Sequence, residues 1–206
     1  MIIAVDGPAA SGKGTIARAL AAHFGLPWLD TGLLYRAVGI SVTRSDGDPN
    51  DPADALRACD FPDLQLEDPE LRSEAAGKYA SLVSTHPVVR EALVDRQRAF
   101  ANQPGGAVLD GRDIGTVIAP DADAKLFVTA SAEARAERRF KDELKTNNAA
   151  DLAAILADID ERDRRDRERA SAPLKRAEDA DLLDTTNLTI SAAVQRAIAL
   201  VEARTG

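Results

Sequence analysis

Residues 7–15 read Gly7-Pro8-Ala9-Ala10-Ser11-Gly12-Lys13-Gly14-Thr15, and residues 7–13 fit G-x-x-x-x-G-K, a phosphate-binding loop. A helix N-terminus offers unpaired N–H groups and a partial positive charge to a polyphosphate. Gly7 and Gly12 let the backbone approach the phosphates closely. Lys13 reaches the β- and γ-phosphates as a point charge. The usual pattern places Ser or Thr directly after the lysine. Here Gly14 stands there and Thr15 follows, so Thr15 is the candidate hydroxyl for a metal ion, directly or through water.

Three further groups of charged residues suit the same chemistry. Asp30-Thr31-Gly32 precedes Tyr35 and Arg36, and Asp110-Gly111-Arg112-Asp113 follows the apolar Ala107-Val108-Leu109. Residues 161–169 are nine charged residues in succession, five Arg and four acidic. Asp110 either holds magnesium, directly or through water, or braces the adjoining loop. On a helix, Arg162, Arg165, Asp166 and Arg169 share one face. Three guanidinium groups around one carboxylate suit a polyphosphate and a sugar hydroxyl; the alternative is a salt-bridged face in solvent. Arg36, taken alone, reads as a solvated surface charge.

The elements that position these groups show as changes of hydrophobic period. Ile2 to Val5 reads as a strand buried on both faces. Ile16, Ala17, Leu20 and Ala21, with Phe24, form a helical stripe that ends at Gly25 before Pro27. Leu26 to Leu29 predicts a second strand, and Asp30 or Thr31 caps a helix with Leu33, Leu34, Ala37, Val38 and Ile40 on its apolar face. Residues 45–69 are dense in turn formers; Ala53 to Ala58 reads as a short helix, and Leu64-Gln65-Leu66 alternates but is too short to assign as a strand. Helices follow over 70–84 and 87–101, the second with Pro87 at its first position. In it Val88, Ala92, Leu93 and Ala99 or Phe100 face inward, and Arg90, Arg96 and Arg98 form the polar face.

Ala107 to Leu109, Ala124 to Thr129 and Asp181 to Asp184 read as three more strands. Ser131 caps a helix to about Lys145, with Arg135, Arg138 and Arg139 on its polar face. Asn147-Asn148 breaks it, and Asp151 opens another with Leu152, Ile155, Leu156 and Ile159 toward the core. Ile190, Ala193, Val194, Ala197, Ile198 and Val201 mark a closing amphipathic helix. This alternation predicts an α/β fold: a parallel sheet, helices on both faces, right-handed crossovers. Ligands in such sheets sit beyond the carboxyl ends of the strands. Three strands end in Asp6-Gly7, Asp30-Thr31 and Asp110-Gly111-Arg112-Asp113, which argues for one shared site.

Composition sets the bounds. The 206 residues suit one such domain with an insertion. A net charge of −8 disfavours non-specific nucleic-acid binding, so basic clusters are local. The lone Cys59 allows no internal disulfide and points to a reducing compartment. No apolar run is long enough to span a membrane, and the chain enters a strand at once, leaving no room for a signal peptide. The expectation is a cytoplasmic protein with neither nucleic acid nor membrane as partner.

Taken together the motifs resemble a known family. Gly7 to Thr15, with its Lys-Gly-Thr ending, is similar to the phosphate loop of nucleoside monophosphate kinases. Asp30-Thr31-Gly32-x-x-Tyr35-Arg36, Asp110-Gly111-Arg112-Asp113-x-Gly115-Thr116 and Glu161-Arg162-Asp163-x-x-Asp166-Arg167 resemble bacterial cytidylate kinases in particular, over nearly the whole chain. The resemblance implies a P-loop NTPase fold with a five-stranded parallel sheet in a single kinase domain over 1–206. It implies a monophosphate-binding insert over about 37–90, shortened between Ser45 and Pro69, and a mobile lid over about 141–169. The implied reaction moves the γ-phosphoryl group of ATP, with Mg2+, to CMP or dCMP, giving ADP and CDP or dCDP in pyrimidine nucleotide metabolism. The implied assembly is a monomer.

By the same resemblance ATP belongs to Gly7, Pro8, Ala9, Ala10, Ser11, Gly12, Lys13, Gly14, Thr15 and Arg138. The monophosphate belongs to Thr31, Tyr35, Arg36, Ser81, Arg90, Arg112 and Asp113. Arg162, Asp166 and Arg169, from the lid and its helix, close over the phosphates and the acceptor sugar. Lys13, Arg112, Arg162 and Arg169 carry the catalysis, with Thr15 and Asp110 toward the metal.

The residue types fit such a reaction on physical grounds. Phosphoryl transfer through a loose transition state needs positioning and charge stabilisation. The acceptor phosphate is already ionised and needs no strong base, and His23 and His86, far apart in the sequence, form no Ser-His-Asp set. Cytosine offers an amino donor where uracil has a carbonyl; a carboxylate such as Asp113, helped by Arg90 and Ser81, accepts from the first and repels the second. Rival readings are a kinase for AMP, UMP or shikimate, and a nucleotide-binding switch with negligible turnover. The Arg-rich face disfavours a switch, having little purpose without a second phosphate to clamp.

Overall fold

The computed structural model describes residues 1–145 and 150–206; the expected break at Asn147-Asn148 lies outside the described residues. Five short strands, β1 (Ile2–Asp6), β2 (Trp28–Asp30), β3 (Ala107–Gly111), β4 (Ala124–Thr129) and β5 (Asp181–Asp184), form one sheet in the order β2-β3-β1-β4-β5. Every pairing is parallel. The register sets Asp6 opposite Gly111 and Asp30 opposite Asp110. The three charged strand ends therefore lie side by side along one edge of the sheet.

The apolar stripe of α1 (Lys13–Phe24) meets one face of the sheet together with α8 (Ile190–Thr205), burying Ile16, Leu20, Val5, Leu126, Ala197 and Val201. α1 stops at Gly25, which takes φ 64°, a left-handed conformation natural for glycine. On the other face α5 (Pro87–Ala101) and a single π-type turn at Ile114–Ile118 cover Ala4 and Leu109.

The segment between β2 and β3 has its own core. α2 (Thr31–Arg44), α3 (Pro52–Arg57) and α4 (Glu74–Val83) join α5 around Leu34, Ile40, Leu71, Val83, Val89 and Leu93. The helix expected over 70–84 begins at Glu74, because Ser73 caps it by accepting from the Ala76 N–H at 3.1 Å; Pro69–Arg72 is a separate 3-10 turn. Residues 45–69 hold α3 and another 3-10 turn at Asp63–Glu67, and no strand. α6 (Ala132–Glu143) and α7 (Leu152–Glu168) pack on one another through Ala136, Ile155 and Ile159.

Two helix faces differ from expectation. α5 buries Val89, Arg90, Leu93, Gln97 and Ala101, leaving Val88 and Ala92 exposed. α6 buries Arg135 rather than presenting it to solvent. Arg90 and Arg135 have partners that periodicity cannot reveal, Asp113 and Asp163, while Gln97 donates to the Leu93 carbonyl one turn before it at 3.1 Å.

α2 and α4 approach closely at Gly39, where an added Cβ would fall 2.6 Å from Cβ of Tyr79 and 3.0 Å from its backbone carbon. Gly39→Ala must push α4 off α2, and a loss of about 1–3 kcal/mol is expected for this overpacking. Urea unfolding of the variant beside wild type measures it.

Candidate active site

Residues 7–12 link β1 to α1 and leave the α1 N-terminus without a side-chain cap, so its first N–H groups are open to a ligand. Gly7 is demanded by packing: a Cβ there would sit 2.0 Å from the Val128 carbonyl oxygen of β4. Pro8 and Ala9 are buried, and Ala10, at φ 58°, makes the loop's left-handed turn. The loop is braced from outside. The Ala9 carbonyl accepts from Arg135 Nη1 at 3.1 Å, and the Ser11 carbonyl from Thr185 Oγ1 at 3.0 Å. Ser11 Oγ is buried with no hydrogen-bond partner among the described residues.

Lys13 opens α1 and Gly14 follows, close to Asp110: a Cβ on Gly14 would be 3.7 Å from Asp110 Oδ2. Burial, and then the Arg112 charge, pull the Lys13 ammonium down to about 8 against the carboxylates of Asp110 and Asp30. Burial pushes the Asp110 carboxyl up to about 6 against the pull of Lys13. Its Oδ1 accepts from the Trp28 indole at 2.8 Å. Among the described residues no group of three or more His, Cys, Asp or Glu is disposed to hold a metal ion.

Two cavities adjoin the loop, and a third shares residues with one of them. The first, about 550 Å³, is lined by Ala10, Ser11, Gly12, Thr15, Arg138 and Thr189 among others. Arg138 donates from Nη1 to Thr185 Oγ1 at 3.1 Å and from Nη2 to the Thr185 carbonyl. The second, about 520 Å³, holds Lys13, Arg36, Arg72, Arg112, Arg139 and Arg162. Arg36 and Arg162 converge over Gly77 of α4, where a Cβ would lie 3.7 Å from each guanidinium. Neither makes an ion pair among the described residues. Burial, then Arg112, holds Arg162 down to about 10, and burial holds Arg36 below the usual arginine range.

The third cavity is a contracted one of about 50 Å³ between α2, α4, α5, the β3 end and α7. It gathers Thr31, Tyr35, Ser81, Arg90, Asp113, Asp166 and Arg169, and shares Arg112 and Arg162 with the second. Its charges pair with one another. Arg90 Nη2 donates to Asp113 Oδ2, Arg169 Nη2 lies 3.6 Å from Asp113 Oδ1, and Arg112 Nε donates to Asp166 Oδ2 at 2.8 Å. Burial opposes the charge of Asp166, but Arg112 and Arg162 outweigh it and hold the carboxyl below its ordinary value. Tyr35 Oη, Ser81 Oγ, Arg90 Nε, Arg162 Nε and Arg169 Nη2 are buried with no hydrogen-bond partner among the described residues. Thr31, by contrast, spends its hydroxyl on the Asp110 carbonyl at 2.8 Å.

The run over 161–169 thus has two sides. Arg162, Asp166 and Arg169 turn to the cavities, while Arg164 pairs with Glu161 and Glu168 in solvent and Arg165 pairs with Glu161. Arg165, placed with the first group by spacing, belongs with the second. The sequence marks Asp6 only as a charged strand end and Asp163 only as part of a motif, and gives no role to Trp28, Arg135 or Thr185. The Asp163-x-x-Asp166 spacing was the one signal of a second inward carboxylate; nothing local marks Arg135 or Trp28.

A phosphate loop on a parallel sheet, flanked by two cavities that share arginines from separate elements, defines a P-loop kinase. The cytidylate kinase family model matches residues 3–203, and the chain belongs to that family. A cytidylate kinase of Cereibacter sphaeroides is 59% identical over 202 residues, 98% of this chain and 95% of that protein. One of Azorhizobium caulinodans is 56% identical over 207 residues, covering both chains completely. The solved structure of an uncharacterised protein from Eubacterium ventriosum shares the fold, with a TM-score of 0.61 over 99% of each chain at 16% identity. Among the described residues no helix is long and apolar enough to cross a membrane.

Arg135 and Asp163 are both buried and joined by two hydrogen bonds, of 3.0 Å and 2.6 Å. Asp163→Ala strands the Arg135 guanidinium under the phosphate loop. It is expected to cost about 3 kcal/mol of stability, read from the denaturant midpoint.

Proposed function

We propose that the protein transfers the γ-phosphoryl group of ATP to CMP or dCMP, with the first cavity taking the nucleoside of ATP, the second its phosphates and the third the acceptor. The observation that carries this reading is the set of buried, unpartnered polar atoms on Tyr35, Ser81, Arg90, Arg162 and Arg169 around the Asp113 carboxylate. Buried polar atoms without partners are costly, and a polar ligand would satisfy them.

In this reading the backbone of residues 7–14 and the open α1 N-terminus hold the β- and γ-phosphates, and Lys13 adds its charge. Arg138 lines the donor side. Arg112 and Arg162, which face both the phosphate cleft and the acceptor pocket, sit where the transferred group passes. They supply charge stabilisation to a reaction that needs little else. Arg36 and Arg162, lacking carboxylate partners, meet the acceptor phosphate. Asp166 and Arg169 take the acceptor sugar, and Asp113, held by Arg90, reads the cytosine amino group. The segment 37–90 acts as the monophosphate-binding insert and 141–169 as the lid; closing it would exclude water from the transfer.

Magnesium fits the oxygen donors at hand. Thr15 and the buried Asp110 carboxylate beside Gly14 would hold it through few protein contacts, leaving the remaining positions to water and phosphate oxygens. Bound there with ATP, it neutralises charge on the phosphates.

ADP release with ATP and magnesium, offering CMP, dCMP, UMP, AMP and GMP separately, tests the reading: fast turnover with CMP and dCMP alone is expected, and preference for another acceptor would overturn the base assignment. Lys13→Ala is expected to lower kcat by about 10³ or more; near-normal turnover would remove Lys13 from the chemistry. Asp113→Ala is expected to erode the preference for CMP over UMP by at least about 10² while ATP affinity holds. Equal losses for both acceptors would refute that role.

A further inference from the structure

Asp6 is a buried carboxylate at the end of the central strand, one residue before the phosphate loop, and the mechanism above gives it no part. Its two oxygens are both engaged across the sheet edge. Oδ1 accepts from the Ile114 N–H and Oδ2 from the Gly115 N–H, each at 2.8 Å. These are the first two residues of the π-type turn that follows Arg112 and Asp113. Asp113 itself has φ −143° and ψ 22°, with no side-chain cap on the turn from within its own segment. Asp6 therefore does from another strand what a capping side chain does locally: it gathers the orphan N–H groups of the turn. The backbone that aims Asp113 and Arg112 into the acceptor pocket is thereby tied to the strand that carries the phosphate loop.

We propose that Asp6 is a positioning residue for acceptor selection: its carboxylate fixes the Ile114–Gly115 backbone so that Asp113 presents its oxygens to the acceptor base. The inference rests on the reading of Asp113 as the base-recognising group. It assigns to Asp6 the register between donor loop and acceptor pocket, which no pocket-lining residue supplies.

The contact depends on ionisation. A carboxylate accepts at both oxygens, whereas a neutral carboxyl keeps one good acceptor and turns a donor or a weak acceptor toward the other N–H. Burial pushes Asp6 up to about 7, against the two backbone hydrogen bonds; Asp113 adds to the rise and Arg112 opposes it. From β4, the Lys125 stem passes beside Gly115, but its ammonium is spent on the Pro120 carbonyl and Asp179. With the carboxyl near 7, falling pH protonates Asp6 and releases one of the two N–H groups.

The readout is the ratio of kcat/KM for CMP to that for UMP, in which the shared titration of the acceptor phosphate cancels. In wild type this ratio is expected to fall as pH is lowered from about 8 to about 6. In Asp6→Asn it is expected to be about tenfold lower at pH 8 and flat with pH, because an amide retains one acceptor and faces the second N–H with a donor. KM for ATP should stay within about twofold. A capping role confined to stability would lower Tm and leave the ratio and its pH dependence at wild-type values, and that result would overturn the proposal. If Asp6→Asn does not fold, the wild-type ratio decides: no change with pH across that range refutes it. Asp113→Ala, assayed in parallel, separates the two ideas. Loss of selectivity in Asp113→Ala but not in Asp6→Asn refutes the positioning role alone, and unchanged selectivity in Asp113→Ala refutes the base assignment on which it rests.

Discussion

Positive charge held out of water is the constraint on which this structure depends. Five arginines from four parts of the chain, Arg36 of α2, Arg90 of α5, Arg112 after β3, and Arg162 and Arg169 of α7 and its C-terminus, converge beyond the sheet edge with Lys13. Gathering them is costly unless carboxylates share the space. Asp113 answers Arg90 and Arg169, and Asp166 answers Arg112. The compensation is incomplete on one side: burial and neighbouring guanidinium groups lower Arg162 and Arg36 below the usual arginine range. The third cavity is thus largely neutralised, and the second is left cationic at Arg36 and Arg162.

The phosphate loop is held by groups from distant parts of the chain. Arg135 of α6 and Thr185 beyond β5 each donate to a loop carbonyl, and β4 passes so near Gly7 that no side chain fits. Asp163 fixes Arg135, and the same helix presents Arg162 and Asp166, with Arg169 at its C-terminus, to the cavities. α7 therefore braces the loop and lines two cavities at once. A rigid loop pre-pays the ordering that phosphate binding would otherwise require.

The family of this chain, cytidylate kinase, accords with a site assembled from cations and carboxylates on separate elements. What orders it is direction. β1, β2 and β3 deliver their charged ends to one line because parallel strands in register must end together. The segment between β2 and β3, with its own core, brings Tyr35, Ser81 and Arg90 to the third cavity.

Much of this was legible in the residues alone. The loop from Gly7 to Lys13 declares itself because its chemistry is local: strand, glycines, lysine and helix stand in one unbroken stretch. Five strands and their alternation with helices follow from period, and a parallel sheet with its site at the carboxyl ends follows from that alternation. Periodicity weighs a residue by its type, however, and so it turned α5 and α6 the wrong way at Arg90 and Arg135, which are buried because Asp113 and Asp163 meet them from elsewhere in the chain. It also grouped Arg165 with Arg162 and Arg169, although only the latter two reach the cavities. Trp28 and Thr185 carried no sequence signal, and Asp6 only that of a charged strand end, since each acts on a backbone or carboxylate that only the folded sheet brings near. The sequence by itself determined which elements form and that the charged ends of three strands lie together. Tertiary structure alone decided which charges neutralise one another and which are left for a ligand, because ion pairing depends on distance in space, and that distance does not exist until the chain has folded.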